Sequence, residues 1–166
     1  MSLRISQYVV LAALCAAIIA ETALFGAMLP MRIATHFDGS GLPNGWMSGT
    51  AFVREITIIA VIAVAGFLAA GLIPKIPARW INIPSRDYWL APERQAAALG
   101  FVRDWVRGFL LFTIALLAGV HGLVLQANLI DPPQLGSTVF WILGAYGIAT
   151  LAMLAAIIWR FSLKKT

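Results

Sequence analysis

Charge is scarce in this sequence. Asp, Glu, Lys and Arg make up 11% of its 166 residues and hydrophobic residues 61%, whereas an ordinary soluble domain is about a quarter charged. A chain so short of charge cannot cover itself for water and belongs in a bilayer. Cysteine is nearly missing too: Cys15 stands alone inside an apolar run. No internal disulfide is therefore possible, and the thiol reads as a small core or lipid-facing side chain. There is no His-Glu-x-x-His, no nucleophile elbow, no phosphate loop and no Cys pair, which removes the enzyme classes that short motifs reveal. No similarity between the two halves is visible, so an inverted-repeat transporter has little support. The net charge is +5, but the basic residues flank apolar runs instead of interleaving with a polar aromatic face. That arrangement argues against nucleic acid as a partner.

What the sequence has is long apolar runs. Four of them, 8–29, 52–73, 109–130 and 138–159, suit the roughly 20 residues that a helix needs to cross hydrocarbon. The first is longer than the apolar part of a secretory signal and has no clear Ala-x-Ala site, so it reads as an uncleaved anchor. Ser48 and Thr50 are N-cap candidates for the second, which Pro74 ends. Asp131, Pro132 and Pro133 end the third. The expectation is one transmembrane domain over 1–166, an all-α four-helix bundle with the lipid bilayer as its first partner.

Ten of the twelve Lys and Arg residues fall on one side of these spans. They are Arg4, then Lys75, Arg79, Arg86, Arg94, Arg103 and Arg107, then Arg160, Lys164 and Lys165; only Arg32 and Arg54 lie on the other side. Basic loops stay in the cytoplasm, which predicts cytoplasmic termini, a cytoplasmic loop over 74–108 and an outward loop over 30–51. Trp46, Trp80, Trp89, Trp105, Trp141 and Trp159 all fall near span ends, where indole prefers the interface.

The outward loop is longer than the roughly 2 to 8 residues that a helix connection needs. Asp38-Gly39, Gly41, Pro43 and Asn44-Gly45 predict a compact irregular loop, neither helix nor strand. His36 and Asp38, two apart, would share a side in an extended segment, which suits a carboxylate orienting an imidazole or two ligand positions. Asp38 before Gly39 is equally an Asx-turn residue, and one His with one Asp is too few for a metal site. Glu21 and His121 lie at matching depth inside spans one and three, roughly 12 to 14 Å below the outer surface at 1.5 Å per residue. Ionisable groups so deep face the bundle interior and are functional candidates. With Asn128, seven positions beyond His121 on the same helix face, they could line a polar cavity. The bland alternative is a Glu21–His121 pair that locks the bundle.

In the inner loop, Pro74, Pro77 and Pro84 exclude regular helix through most of 74–91. Pro92 suits a helix first turn, with Glu93 at the positive end of the dipole. The helix it starts is amphipathic, with Leu99, Val102, Trp105 and Val106 on one face and Glu93, Arg103, Asp104 and Arg107 on the other. Arg86, Asp87, Tyr88 and Trp89, with Glu93 and Arg94, are the candidate surface for a cytoplasmic protein partner. The bland role of Arg86 and Asp87 is an ion pair that pins the loop.

The pattern Pro30, His36, Phe37, Gly41, Pro43, Trp46, Ser48 resembles the signature loop of the SdpI-like membrane proteins. The segment from Asn82 through Arg86, Asp87, Tyr88 and Trp89 to Arg94 looks like a second motif of small four-span bacterial relatives. The resemblance implies a bacterial inner (plasma) membrane protein, and the characterised namesake is an immunity protein against a secreted toxic peptide that also holds a repressor at the membrane. It brings no catalytic residue set. The expected function is a ligand- or peptide-binding immunity or sensor module, taking a peptide, lipid or small ligand on its outer side through His36, Asp38, Glu21, His121 and Asn128. The alternative is a membrane-embedded hydrolase or transferase, metal-dependent or not, built on His36, Asp38, Glu21 and His121. No cofactor is named by the sequence.

Overall fold

A computed structural model describes residues 3–162, so Lys164 and Lys165 lie outside the described residues. Apolar length dictates the main elements. Helix α1 spans Leu3–Gly26, α2 Gly49–Ala69, α4 Pro92–Ala127 and α5 Thr138–Ser162, and these four helices are long and apolar enough to cross a membrane. The starts are set locally. Ser48 is the N-cap of α2, its Oγ accepting from the Ala51 N–H at 3.2 Å, and Pro92 opens α4 with Glu93 in the first turn. After α2 the chain tightens into a 3-10 turn, Ala70–Lys75, that holds Pro74. A second short turn, Ala78–Trp80, and the single-turn helix α3, Arg86–Trp89, complete the connection from α2 to α4.

Helix α4 is the axis. At 36 residues it joins the amphipathic segment and the third long apolar run without a break, and it packs against α1, α2, the turn after α2, and α5. Leu11 and Ile18 of α1, Phe67 of α2 and Leu111, Ile114 and Ala118 of α4 form the main core. A second cluster of Ile33, Phe52, Val124 and Leu125 closes the other end of the bundle. Trp141 and Trp159, at the two ends of α5, are 79% and 68% exposed, as interface anchors would be.

Two expectations are overturned. Residues 30–51 are not an irregular loop: Arg32–Phe37 (β1) and Pro43–Ser48 (β2) form an antiparallel hairpin, with Ala34 opposite Trp46 and irregular register around His36. Pro43 and Gly45 are poor strand formers by themselves, so the hairpin depends on docking. Ile33 and Ala34 are fully buried against the helices. The amphipathic part of α4 is also turned differently. Arg103 and Arg107, expected with the polar face, are buried one and two turns beyond the buried Leu99. Arg107 is satisfied there, donating to the Phe67 carbonyl (3.3 Å) and the Tyr8 hydroxyl (2.9 Å) between the two rings. Arg103 makes a two-pronged bond to Asp104 at 2.7 and 2.8 Å.

Candidate functional site

Asn128 fixes the hairpin over the helix ends. It follows the last turn of α4 and is 5% exposed. Its Oδ1 accepts from the Ala34 N–H at 2.8 Å, while its Nδ2 donates to the Ala34 carbonyl (2.8 Å) and to the Val124 carbonyl (2.9 Å). One side-chain amide thus satisfies both polar backbone groups of a buried strand residue. The turn of the hairpin is held from a second side. Gly41 has φ +82°, and its carbonyl accepts from the Leu135 N–H at 2.9 Å. A Cβ at Gly41 would overlap the Leu135 carbonyl oxygen, so glycine is required there by conformation and by space.

Beneath this roof lies His121, 4% exposed and stacked on Phe52 with ring centroids 5.3 Å apart. Its Nε2 is 3.1 Å from Thr22 Oγ1, and that hydroxyl donates its proton to the Ile18 carbonyl at 2.8 Å. Toward His121 the hydroxyl can therefore only accept, so Nε2 carries the hydrogen. Nδ1 is left as a buried acceptor with no partner. Glu21 does not pair with His121. Its carboxylate packs against Gly122, where an added Cβ would come within 3.0 Å of Oε1, and its buried Oε2 has no partner. Among the described residues the ion pairs are Arg94–Glu93 and Arg103–Asp104, so the Arg86–Asp87 pair expected of the inner loop is not made either.

His36 and Asp38 stand elsewhere. Both are exposed on the hairpin. His36 Nδ1 lies 3.2 Å from Thr35 Oγ1, and Asp38 is engaged by its own turn. Its Oδ1 accepts from the Ser40 hydroxyl (2.6 Å) and from the Ser40 and Leu42 N–H groups (2.8 and 3.1 Å). The Ser40 hydroxyl first, then those backbone donors, hold this carboxyl below its ordinary 3.8. The chain reverses after Phe37, so the shared-side geometry of a straight strand does not apply. Among the described residues no three His, Cys, Asp or Glu side chains lie close enough to hold a metal ion. The four groups that an enzyme would need together are divided between an exposed hairpin, which carries His36 and Asp38, and helices α1 and α4, which carry Glu21 and His121.

Between α1 and α2, which meet each other only sparsely, runs an open groove of about 670 Å³, walled by residues such as Cys15, Ile18, Thr22, Ile56, Ala60 and Val61. Thr22 and Val53 also line a chamber of about 450 Å³ under the hairpin, where Ser48 and Thr50 bring hydroxyls. The two cavities share Thr22 and Val53 as wall residues.

At the opposite end, Trp89 donates from its indole to the Phe161 carbonyl at 2.8 Å. Arg94 lies 4.2 Å over the Tyr88 ring and donates to the Tyr88 carbonyl at 2.8 Å. Arg86 donates to the Ala78 carbonyl at 3.1 Å, while Asp87 and Glu93 are exposed. The inner-loop candidates therefore gather where α3, the start of α4 and the end of α5 meet.

Thr22 and Phe52 were not singled out from sequence. Thr22 had a signal, a hydroxyl beside Glu21 at the depth of His121; Phe52 had none, since its role needs a ring from another helix.

Four helices long and apolar enough to cross a membrane fit a multi-pass membrane protein. In comparisons with models of protein families, with curated proteins and with solved structures, the chain matches none.

Proposed function

We propose that this chain is a four-span protein of a bacterial inner membrane, similar to the SdpI-like proteins, that binds a ligand at its hairpin end as an immunity or sensor-type module. The ten-to-two division of basic residues supports cytoplasmic termini and an outward hairpin. The observation that supports the binding reading is the chamber under the hairpin with the adjoining α1–α2 groove, whose shared wall residue Thr22 is bonded to the buried His121. Relay to the inner face has a physical route. Asn128 joins the hairpin to one end of α4, and the same unbroken helix begins beside the Tyr88–Arg94 and Trp89 contacts. A cytoplasmic protein partner would meet the exposed Asp87 and Glu93 there.

Two measurements test this. In intact cells, an impermeant thiol reagent should label Gly39→Cys and not Asn82→Cys; the reverse pattern refutes the orientation. Hydrogen exchange in native membrane particles should differ from that in delipidated detergent over 30–49 and over 85–95 together. A response in the hairpin with none in 85–95 would break the relay.

A further inference from the structure

We infer that the end of the bundle opposite the hairpin takes the phosphate head of an anionic lipid, on a face carried by Arg79, Arg86 and Arg160. The inference goes beyond the reading above and stands whether or not a ligand binds at the hairpin. Three observations converge on it.

The first is uncompensated charge. Lys75, Arg79, Arg86 and Arg160 are exposed, and none of them belongs to an ion pair among the described residues. The carboxylates of the inner connection are Asp87 and Glu93. Glu93 is already taken by Arg94, which leaves Asp87 against four cations. An excess of this kind draws anions, and a bilayer surface supplies them as lipid phosphates.

The second is the way the guanidinium groups are held. Arg86 donates to the Ala78 carbonyl at 3.1 Å, which ties α3 to the turn that carries Arg79 and Trp80. At the other end of α3, Trp89 donates from its indole to the Phe161 carbonyl at 2.8 Å. The Arg160 guanidinium lies 5.8 Å from the Trp89 ring and 4.1 Å over Phe101. The turn, α3 and the end of α5 are thus linked into one face. Arg79 is held in the same manner, 5.7 Å over Trp80. An aromatic ring meets the face of a guanidinium and a phosphate meets its N–H edge, so the stacked groups keep their two-pronged donors for a phosphate.

The third separates a lipid from a soluble acidic partner. Leu72, Trp80, Ile158 and Trp159 are large, apolar and exposed, each within three positions of Lys75, Arg79 or Arg160. Facing water, such a patch is a liability. At the boundary of hydrocarbon and headgroups the same side chains are covered, indole is favoured, and long cations reach the phosphates.

The test offers the whole protein, in an uncharged detergent, an equal mixture of phosphatidylglycerol and phosphatidylcholine with the same acyl chains, and counts retained lipids by native mass spectrometry. The parent should retain phosphatidylglycerol in at least about fivefold excess, the ratio that one cation at an anionic surface supplies. Arg86→Gln and Arg160→Gln should each lower that excess, and both combined with Arg79→Gln should bring the two lipids level. Arg32→Gln with Arg54→Gln, which removes exposed cations at the hairpin end, should leave the excess unchanged. Melting in the same detergent should match the parent in every variant; if the triple variant melts early, the two single variants decide. Equal retention of the two lipids by the parent overturns the lipid assignment and leaves this face to a soluble partner. An excess that survives in Arg86→Gln and Arg160→Gln, or that falls as far in the Arg32 and Arg54 variant, also overturns it. Millimolar glycerol phosphate, the same anion without chains, should not displace the lipid; displacement would reassign the face to a soluble phosphate.

Discussion

Replacing Asn128 with alanine removes three hydrogen bonds at once, and two of the groups left behind belong to Ala34, a residue with no solvent exposure. The Val124 carbonyl is the lesser loss, because it also accepts from the Asn128 backbone N–H at 3.3 Å. A buried backbone donor or acceptor left unmade costs about 1–3 kcal/mol, so two of them set an upper range of about 2–6 kcal/mol. Side-chain hydrogen bonds measured inside membrane proteins average nearer 0.6 kcal/mol, but those values include relaxation to other partners, which Ala34 can find only if the hairpin lifts toward water. The expected loss is therefore about 2–4 kcal/mol, expressed first as local opening. Asn128→Asp discriminates further. It keeps the acceptor for the Ala34 N–H but turns the donor edge into a second acceptor facing two carbonyls, and it should be no better than alanine. The assay is a detergent melt combined with amide exchange: the Ala34 amide should exchange far faster in both variants, while residues of the Leu111–Ala118 core stay protected. An Asn128→Ala protein that melts as the parent does, with Ala34 still protected, would refute the clamp.

Gly41→Val should destabilise by more than the ~1–2 kcal/mol of a left-handed conformation alone, since the side chain also meets the Leu135 carbonyl; a parental melting temperature would contradict the observed approach. Asp38 has a folded pKa below its ordinary 3.8, so its contribution is present above that value and fades as pH falls through the lower folded one. Asp38→Asn should accordingly be less stable than the parent near neutrality, with the two melting curves converging in strong acid; a gap that widens on acidification would reverse the sign. A double-mutant cycle of Thr22→Val with His121→Phe should show coupling of about 0.6–1.7 kcal/mol. Glu21→Gln with His121→Phe should be nearly additive, and the opposite ranking would restore the Glu21–His121 pair. Arg107→Lys cannot span both Tyr8 and Phe67 and should cost about 1–3 kcal/mol, read as a lower midpoint with unchanged helix content.

The four long apolar helices were legible because their signals are local. Apolar length, the Ser48 cap, Pro92 in a first turn and the double proline after Asp131 each act within a few residues. The hairpin was not, since Pro43 and Gly45 argue against a strand and what overrides them, Asn128 and Leu135, lies about ninety residues further along the chain. The orientation of α4 failed for a related reason. Arg107 looks like part of a solvated face until Tyr8 and Phe67 are placed beside it, and those partners come from two other helices. At the site, depth arithmetic selected Glu21 and His121 as neighbours in height. It could not say which partner each would take, because one position along a helix turns a side chain by about 100°, and that turn gives Thr22, not Glu21, to His121.

The amide of Asn128 has a consequence for what the hairpin can recruit. A two-stranded ribbon has two open edges, each able to template a further strand from another chain. On the β1 side the ladder position at Ala34 is already filled by a side chain that mimics a strand, donor to acceptor and acceptor to donor. Any extended segment that adds to this sheet must therefore run alongside β2. Accretion is thus blocked on the flank that Asn128 fills, so an exposed two-stranded ribbon is left with a single side on which a neighbour's strand could stack.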